Sequence, residues 1–258
     1  MKYLFWAYFA FACIGNKALA GVMVINGLTH VHNTTKGSEI KGKITLKNDG
    51  KGTARVLIYR QDLVSECGKP FNYVTSGLSK YSLGKWLSTN VDERTLAPNE
   101  EYDVLYSILV PSKGVEDGSY WQVIMVEGAD VLKEKNINGF AVNSKVRYAI
   151  QVIANVGSDQ NSGITFESVE FRKTSTPAIT IVLKNTGLYT SVVKVTIEIY
   201  DEQGKKMKNL EGSSRRVYPS YCNSFDIEID GVPKGKYLGL IVADNGTDMF
   251  GSNLSLEL

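Results

Sequence analysis

In the stretch SVVKVTIEIY, Val193, Val195, Ile197 and Ile199 fall at every second position, with Lys194, Thr196 and Glu198 between them. Only an extended chain sends successive side chains to opposite faces, so a period of two makes one apolar face and one wet face on a strand. The same period runs through KGKITLKN (Ile44, Leu46), EYDVLYSILVP (Tyr102, Val104, Tyr106, Ile108) and VRYAIQVIANV (Val146, Tyr148, Ile150, Val152). ARVLIYRQDL and SYWQVIMVEG have similar apolar content, and Gly, Pro, Asn and Asp bound the runs as turn residues should. The one helical candidate, GADVLKEKNING, is short and ends in Asn-Gly, which suits a loop equally well. The expected class is all-β.

The strand plan occurs twice. ITLKNDG (Ile44–Gly50) and IVLKNTG (Ile181–Gly187) repeat one strand-to-turn signal, Pro98 corresponds to Pro219, and Gly118 and Tyr120 correspond to Gly235 and Tyr237. About seven short strands per half with regular turn signals indicates an immunoglobulin-like β-sandwich. The expected organisation is therefore two tandem sandwiches, residues 21–155 and 164–258, joined by a polar linker at 156–163 (VGSDQNSG). Asn48 and Asn185 are expected to bond back onto their own backbone, and Gly50 and Gly187 permit positive φ. Tyr120 and Tyr237 are expected to tie down the crossover before each penultimate strand through their hydroxyls.

The first 20 residues read as a secretory leader: Lys2, an apolar run from Tyr3 to Gly15, and Ala18 and Ala20 as small residues before a cut. Cys13 offers a lipoprotein alternative, preceded by a poor acylation motif. No apolar run reaches the roughly 20 residues that a spanning helix needs. Removing Lys2 and Lys17 from the 29 basic residues leaves 27 against 27 acidic ones. A neutral chain favours neither nucleic acid nor an anionic membrane, and no membrane insertion is expected after cleavage. Cys67 and Cys222 fall in different halves and read as two thiols with no shared neighbourhood.

Chemistry is sparse. His30 and His32 are the two histidines and would share one strand face. With no Cys or acidic cluster beside them they read as exposed strand residues and not as a metal pair, since metal sites usually take three or four ligands. No nucleophile elbow, phosphate loop or zinc-protease helix motif is present, so no enzyme, metal or cofactor is expected. ADNGTDM (Ala243–Met249) reads as a hairpin turn, and Asp226 and Glu228 as a solvated strand face. Trp86 and Trp121 are candidates for a carbohydrate-binding face, with Trp121 better suited to a core.

SKVRYAIQV (Ser144–Val152) sits where the first sandwich should close. It is an ordinary final strand or an edge that adds to an incomplete partner. Together with ITLKNDG, LAPNEEYDVLYSILVP and GSYWQVIMVE, it resembles the periplasmic pilus-assembly chaperones of the chaperone–usher type. That resemblance implies an exported protein of two angled immunoglobulin-like domains. Such a protein caps a pilus or surface subunit with the last strand of its first domain. Val146, Tyr148, Ile150 and Val152 would then face the client, and Lys145 or Arg147 would meet the client's terminal carboxylate. The opening strand GVMVINGLTHVHN has no Arg or Lys, and VRYAIQVIANV has no Pro, where the family carries a second Arg and a closing Pro. The alternative is a structural or adhesive surface protein whose sandwiches are spacers. A chaperone should leave the closing strand unpaired on one side, and a spacer should cover or charge that edge.

Overall fold

The structure, a computed structural model, describes residues 21–129, 132–133, 143–158, 163–172 and 177–258. The expected leader with Cys13, most of GADVLKEKNING and part of the expected linker lie outside these residues.

Every regular element among the described residues is a strand, as the two-residue period requires. In the first half these are β1 (Val22–Val24), β2 (Thr29–Thr34), β3 (Glu39–Asn48), β4 (Ala54–Val64), β5 (Asn72–Thr75), β6 (Leu87–Thr89), β7 (Glu93–Leu96), β8 (Glu101–Leu109), β9 (Gly118–Gly128), β10 (Leu132–Lys133), β11 (Asn143–Ser144) and β12 (Arg147–Val156). The second half has β13 (Ile164–Arg172), β14 (Ala178–Asn185), β15 (Ser191–Tyr200), β16 (Lys206–Glu211), β17 (Arg215–Val217), β18 (Cys222–Glu228), β19 (Lys236–Asp244) and β20 (Met249–Glu257). Val156, placed at the start of the expected linker, is the last residue of β12 and is fully buried.

The first half is two facing sheets, ordered β1-β3-β8-β6 and β2-β12-β9-β4-β5, with β7 also on β4. The opening segment serves both: β1 pairs antiparallel with β3, then β2 pairs parallel with β12 across the sandwich. The second half repeats this with β13-β14-β18 facing β16-β15-β19-β20, and β17 on β15. Each pair of sheets encloses its own apolar core. Ile44, Leu46, Val104, Ile108 and Ile150 belong to one, and Ile181, Val193, Ile197 and Ile241 to the other. Each such side chain is completely buried and contributes roughly 1.5–3 kcal/mol by leaving water.

The two Asn-x-Gly turns are the same joint. Asn48 Oδ1 accepts the Gly50 N–H at 3.0 Å, and Asn185 Oδ1 accepts the Gly187 N–H at 2.8 Å. Each amide also donates to the carbonyl four residues on, Gly52 or Tyr189, and to the strand before the matching proline, at Leu96 or Val217. Positive φ falls elsewhere in these joints. Gly50 and Gly187 do not adopt it, and Asn99 (61°) and Ser220 (66°), each just after the matching proline, do. The side-chain oxygen already closes the turn, so the glycines need no left-handed backbone. Both tyrosines make the expected tie four residues back: Tyr120 Oη donates to the Glu116 carbonyl at 3.1 Å and Tyr237 Oη to the Pro233 carbonyl at 2.9 Å. ADNGTDM is a turn between β19 and β20, closed by Asn245 Oδ1 accepting the Thr247 and Asp248 amides.

The two halves are joined by more than chain. Trp121, 1% exposed, projects from the outer face of β9 and tilts against Tyr218 with ring centroids 4.7 Å apart. It stacks on Tyr81, meets Tyr221 edge-on, and donates its indole N–H to the Leu63 carbonyl at 2.9 Å. It is therefore buried at the junction and not inside the first sandwich. Tyr189 Oη donates to the Val156 carbonyl at 2.8 Å, and Tyr81 Oη lies 2.7 Å from Ser220 Oγ. Cys67 and Cys222 form a disulfide across this junction, with Cα atoms 4.8 Å apart. This corrects the expectation of two separate thiols. The loop after β4 and the start of β18 are remote in sequence, but the aromatic cluster brings them together.

Candidate functional site

β12 is hydrogen-bonded along its whole length to β9, from Arg147 opposite Glu127 to Val156 opposite Gly118. On its other side β2 covers only Gln151 to Val156. The alternation of the main chain says which groups are left. The Val146 carbonyl accepts from Gly128 on the β9 side, whereas the Gln151 N–H donates to the Leu28 carbonyl on the β2 side. Counting back by twos, the N–H and C=O of Ala149 and Arg147 point away from β9, past the point where β2 begins. Among the described residues nothing pairs with this side of Arg147 to Ile150, which thus form an uncovered stretch of edge.

This stretch adjoins an opening of about 390 Å³ at one end of the first sandwich, whose walls include Val22, Val56, Val126, Val146 and Tyr148. β1 and β12 lie on opposite sheets there, and the chain between β1 and β2 crosses below. The side chains expected to face a client divide accordingly. Val146 is 45% exposed and Tyr148 is half-buried, both on the opening. Ile150 and Val152 are fully buried in the core, because even-numbered positions of β12 point between the sheets. They can present only backbone at the surface.

Lys145 and Arg147 are not free cations. Glu127 Oε1 accepts from Lys145 Nζ at 3.0 Å, and its Oε2 accepts from Arg147 at 2.7–2.8 Å and from Tyr59 Oη at 2.7 Å. Glu127 is 7% exposed. The Tyr59 hydroxyl, then Lys145 and Arg147, hold its carboxyl down at about 2. A client carboxylate would have to compete with Glu127 for either cation.

The histidines are not exposed. Both are half-buried on the inner face of β2, where His30 Nδ1 and His32 Nε2 each lie 2.9 Å from the hydroxyl of Tyr106 on β8. Burial pushes the Tyr106 phenol up to about 12. Burial, then the neighbouring His30, lowers His32. Tyr106 reaches this position because Gly42 faces it across the β3–β8 ladder, and a Cβ on Gly42 would lie 2.2 Å from the Tyr106 ring. The sequence gives Glu127 no role and places Tyr106 only on an apolar strand face. A glycine inside the alternating run EIKGKITL was the available signal for Tyr106, since glycine in a strand often marks close approach. No group of three or more His, Cys, Asp or Glu side chains converges among the described residues.

No family model matches the chain, and no curated protein matches it. Solved structures similar to it over most of its length include a class 5 fimbriae chaperone, CfaA, at 13% identity and a TM-score of 0.47, covering 92% of this chain and 98% of that one. Another is the CsuC–CsuE chaperone–tip adhesion subunit pre-assembly complex from archaic chaperone-usher Csu pili of Acinetobacter baumannii, at 15% identity and a TM-score of 0.45, covering 86% and 94%. A third is the E. coli chaperone DraB, at 14% identity and a TM-score of 0.42, covering 93% and 98%. At such identities the roles of individual side chains have to be read from this chain's own geometry.

Proposed function

We propose that this protein is a non-catalytic, chaperone-like protein of the periplasm. In this reading it caps an exported β-rich client, such as a pilus or surface subunit, by pairing with a client strand along β12. The observation that carries it is the uncovered stretch Arg147–Ile150 beside the apolar opening. An exposed strand edge offers main-chain donors and acceptors to an incoming strand, and a neighbouring pocket selects its side chains. The incoming strand takes the place that β2 vacates, pairs with the Arg147 and Ala149 main-chain groups, and directs an inward side chain toward Val22 and Tyr148. Recognition by main chain explains why Ile150 and Val152 can be core residues and still belong to the site. β20 is one of several other sheet edges, paired with β19 alone among the described residues. It carries Gly251, Ser252, Asn253 and Ser255.

The test is Ala149→Pro with co-purification of the exported protein from its native host. Proline removes the one N–H at residue 149, which faces away from β9, so the β9 ladder is untouched. The expected result is a folded protein that no longer brings down a small β-rich client carried by the wild type. Undiminished recovery of that client by the variant would exclude strand addition at β12 and favour the spacer reading.

A further inference from the structure

β2 is an edge strand. Among the described residues two side-chain hydrogen bonds tie it to the opposite sheet, and both end on one oxygen, the Tyr106 hydroxyl. A phenol has one proton to give and two lone pairs to receive with, so its proton finds an acceptor here only if the two histidines play different roles. His30 Nε2 is buried and has no hydrogen-bond partner, which fits a bare Nε2 with the proton on Nδ1. His30 then donates to Tyr106, and Tyr106 donates to His32 Nε2. Protonating His32 turns that acceptor into a donor. The Tyr106 oxygen would then meet two N–H groups, and its own proton would lose its acceptor.

Among the described residues no carboxylate is paired with either imidazole to compensate for the charge. The other inward residues of β8 are Tyr102, Val104 and Ile108, and those of β3 are Ile40, Gly42, Ile44, Leu46 and Asn48. β12 turns Tyr148, Ile150, Val152 and Ala154 inward, and β1 carries no titratable group. Glu39, Lys41 and Lys43 project from the outer face of β3, and Asp103 of β8 is bound to Lys43 and Thr45. Just past the end of β2, Lys36 is paired with Asp117 at 2.8 Å. No carboxylate faces either imidazole from any of these strands.

We propose that the His30–Tyr106–His32 contact is an acid-sensitive latch: it holds β2 on the sandwich at neutral pH, and its loss in acid lengthens the open edge of β12 beyond Ile150. The proposal rests on reading β12 as the pairing strand only for its consequence; the latch itself is a property of the free protein. The direction follows from the environment. Burial and the second histidine depress His32 below its ordinary value of 6.5, so the docked contact is fully present above that value and is lost as pH falls below it.

Amide hydrogen exchange of the isolated protein, expressed as protection factors so that the intrinsic rate cancels, reads the latch residue by residue. The Gln151 and Gly157 amides donate to β2-side carbonyls, those of Leu28 and Thr34. The Ile150, Val152 and Ala154 amides face β9 and serve as the internal reference. Between about pH 7.5 and about pH 5, protection at Gln151 and Gly157 should fall roughly tenfold, the loss expected for one hydrogen bond, while the reference amides hold steady. Tyr106→Phe should show the low protection at both pH values. The double variant His30→Asn, His32→Gln can offer an amide N–H where His30 donates and an amide oxygen where His32 accepts, without titrating in this range, and should be flat. Equal changes at Gln151 and Val152 in the wild type, or an unchanged pH response in the double variant, would overturn the latch. Client recovery by Ala149→Pro does not enter this measurement, so either idea can fail alone.

Discussion

Removing the Cys67–Cys222 disulfide should cost stability without changing shape. The bridge closes a loop with a sequence separation of 155 residues, spanning parts of both sandwiches. In the chain-entropy picture a loop of that length contributes about 5 kcal/mol by restricting the unfolded chain, with about 2–4 kcal/mol the usual yield. The folded junction has other fastenings. Trp121 is buried against Tyr218, Tyr221 and Tyr81, and Tyr189 bonds to the Val156 carbonyl. The Ser119 N–H also donates to the Leu188 carbonyl at 2.8 Å, and the Thr190 N–H to Ser119 Oγ at 2.8 Å. The double variant Cys67→Ala, Cys222→Ala should therefore keep its scattering profile at neutral pH. Its urea midpoint should drop by about 1 M or more, given slopes of a few kcal/mol per molar for a chain of this size. An unchanged midpoint would show that the bridge constrains nothing. A longer scattering profile, or a new early transition belonging to one half, would show that the bridge and not the aromatic cluster holds the halves together.

The remaining expectations concern single sites. Glu127→Gln should cost about 1–2 kcal/mol at pH 7, because its neutral amide meets Lys145, Arg147 and Tyr59 with weaker bonds. The wild-type carboxyl titrates near 2 instead of its ordinary 4.5, so this contribution is complete above 4.5 and disappears as pH falls toward 2. Urea unfolding across that range should show the acid-side slope in the wild type and its reduction in the variant. Asn48→Ala and Asn185→Ala should each cost about 2–3 kcal/mol, since each leaves buried carbonyls and one amide unpaired; similar losses are expected because the joints are equivalent. Gly42→Ala should destabilise the first half by about 1–3 kcal/mol and displace Tyr106, read as changed histidine resonances in an NMR titration.

Much of the fold was legible because it depends on local chemistry. Alternation in SVVKVTIEIY fixes a face, and Asn48 and Asn185 close their own turns within two residues. The matching Gly-x-Tyr pairs foretold two hydroxyl ties, at Tyr120 and Tyr237, each four residues long. Short-range bonds of this kind are set by spacing along the chain, so a sequence displays them. Even so, Gly50 and Gly187 do not use the positive φ open to them, because a side-chain oxygen closes each turn.

The site was legible only in outline. Sequence placed the closing strand at Val146–Val152, and period two placed Val146, Tyr148, Ile150 and Val152 on one face. It did not say whether that face looked outward or between the sheets. That choice depends on where β9 and β2 lie. The same holds for the cations, since only the β9–β12 register brings Glu127 opposite Arg147. The disulfide and the His30–Tyr106–His32 contact likewise join residues more than 70 positions apart. By itself the sequence determined the strands, the turns and their duplication, because hydrophobic period and turn chemistry act over a few residues. Tertiary structure decided which edge is open, which charges are already paired and which half-buried groups meet. These depend on packing distant strands against one another, and no local pattern encodes them.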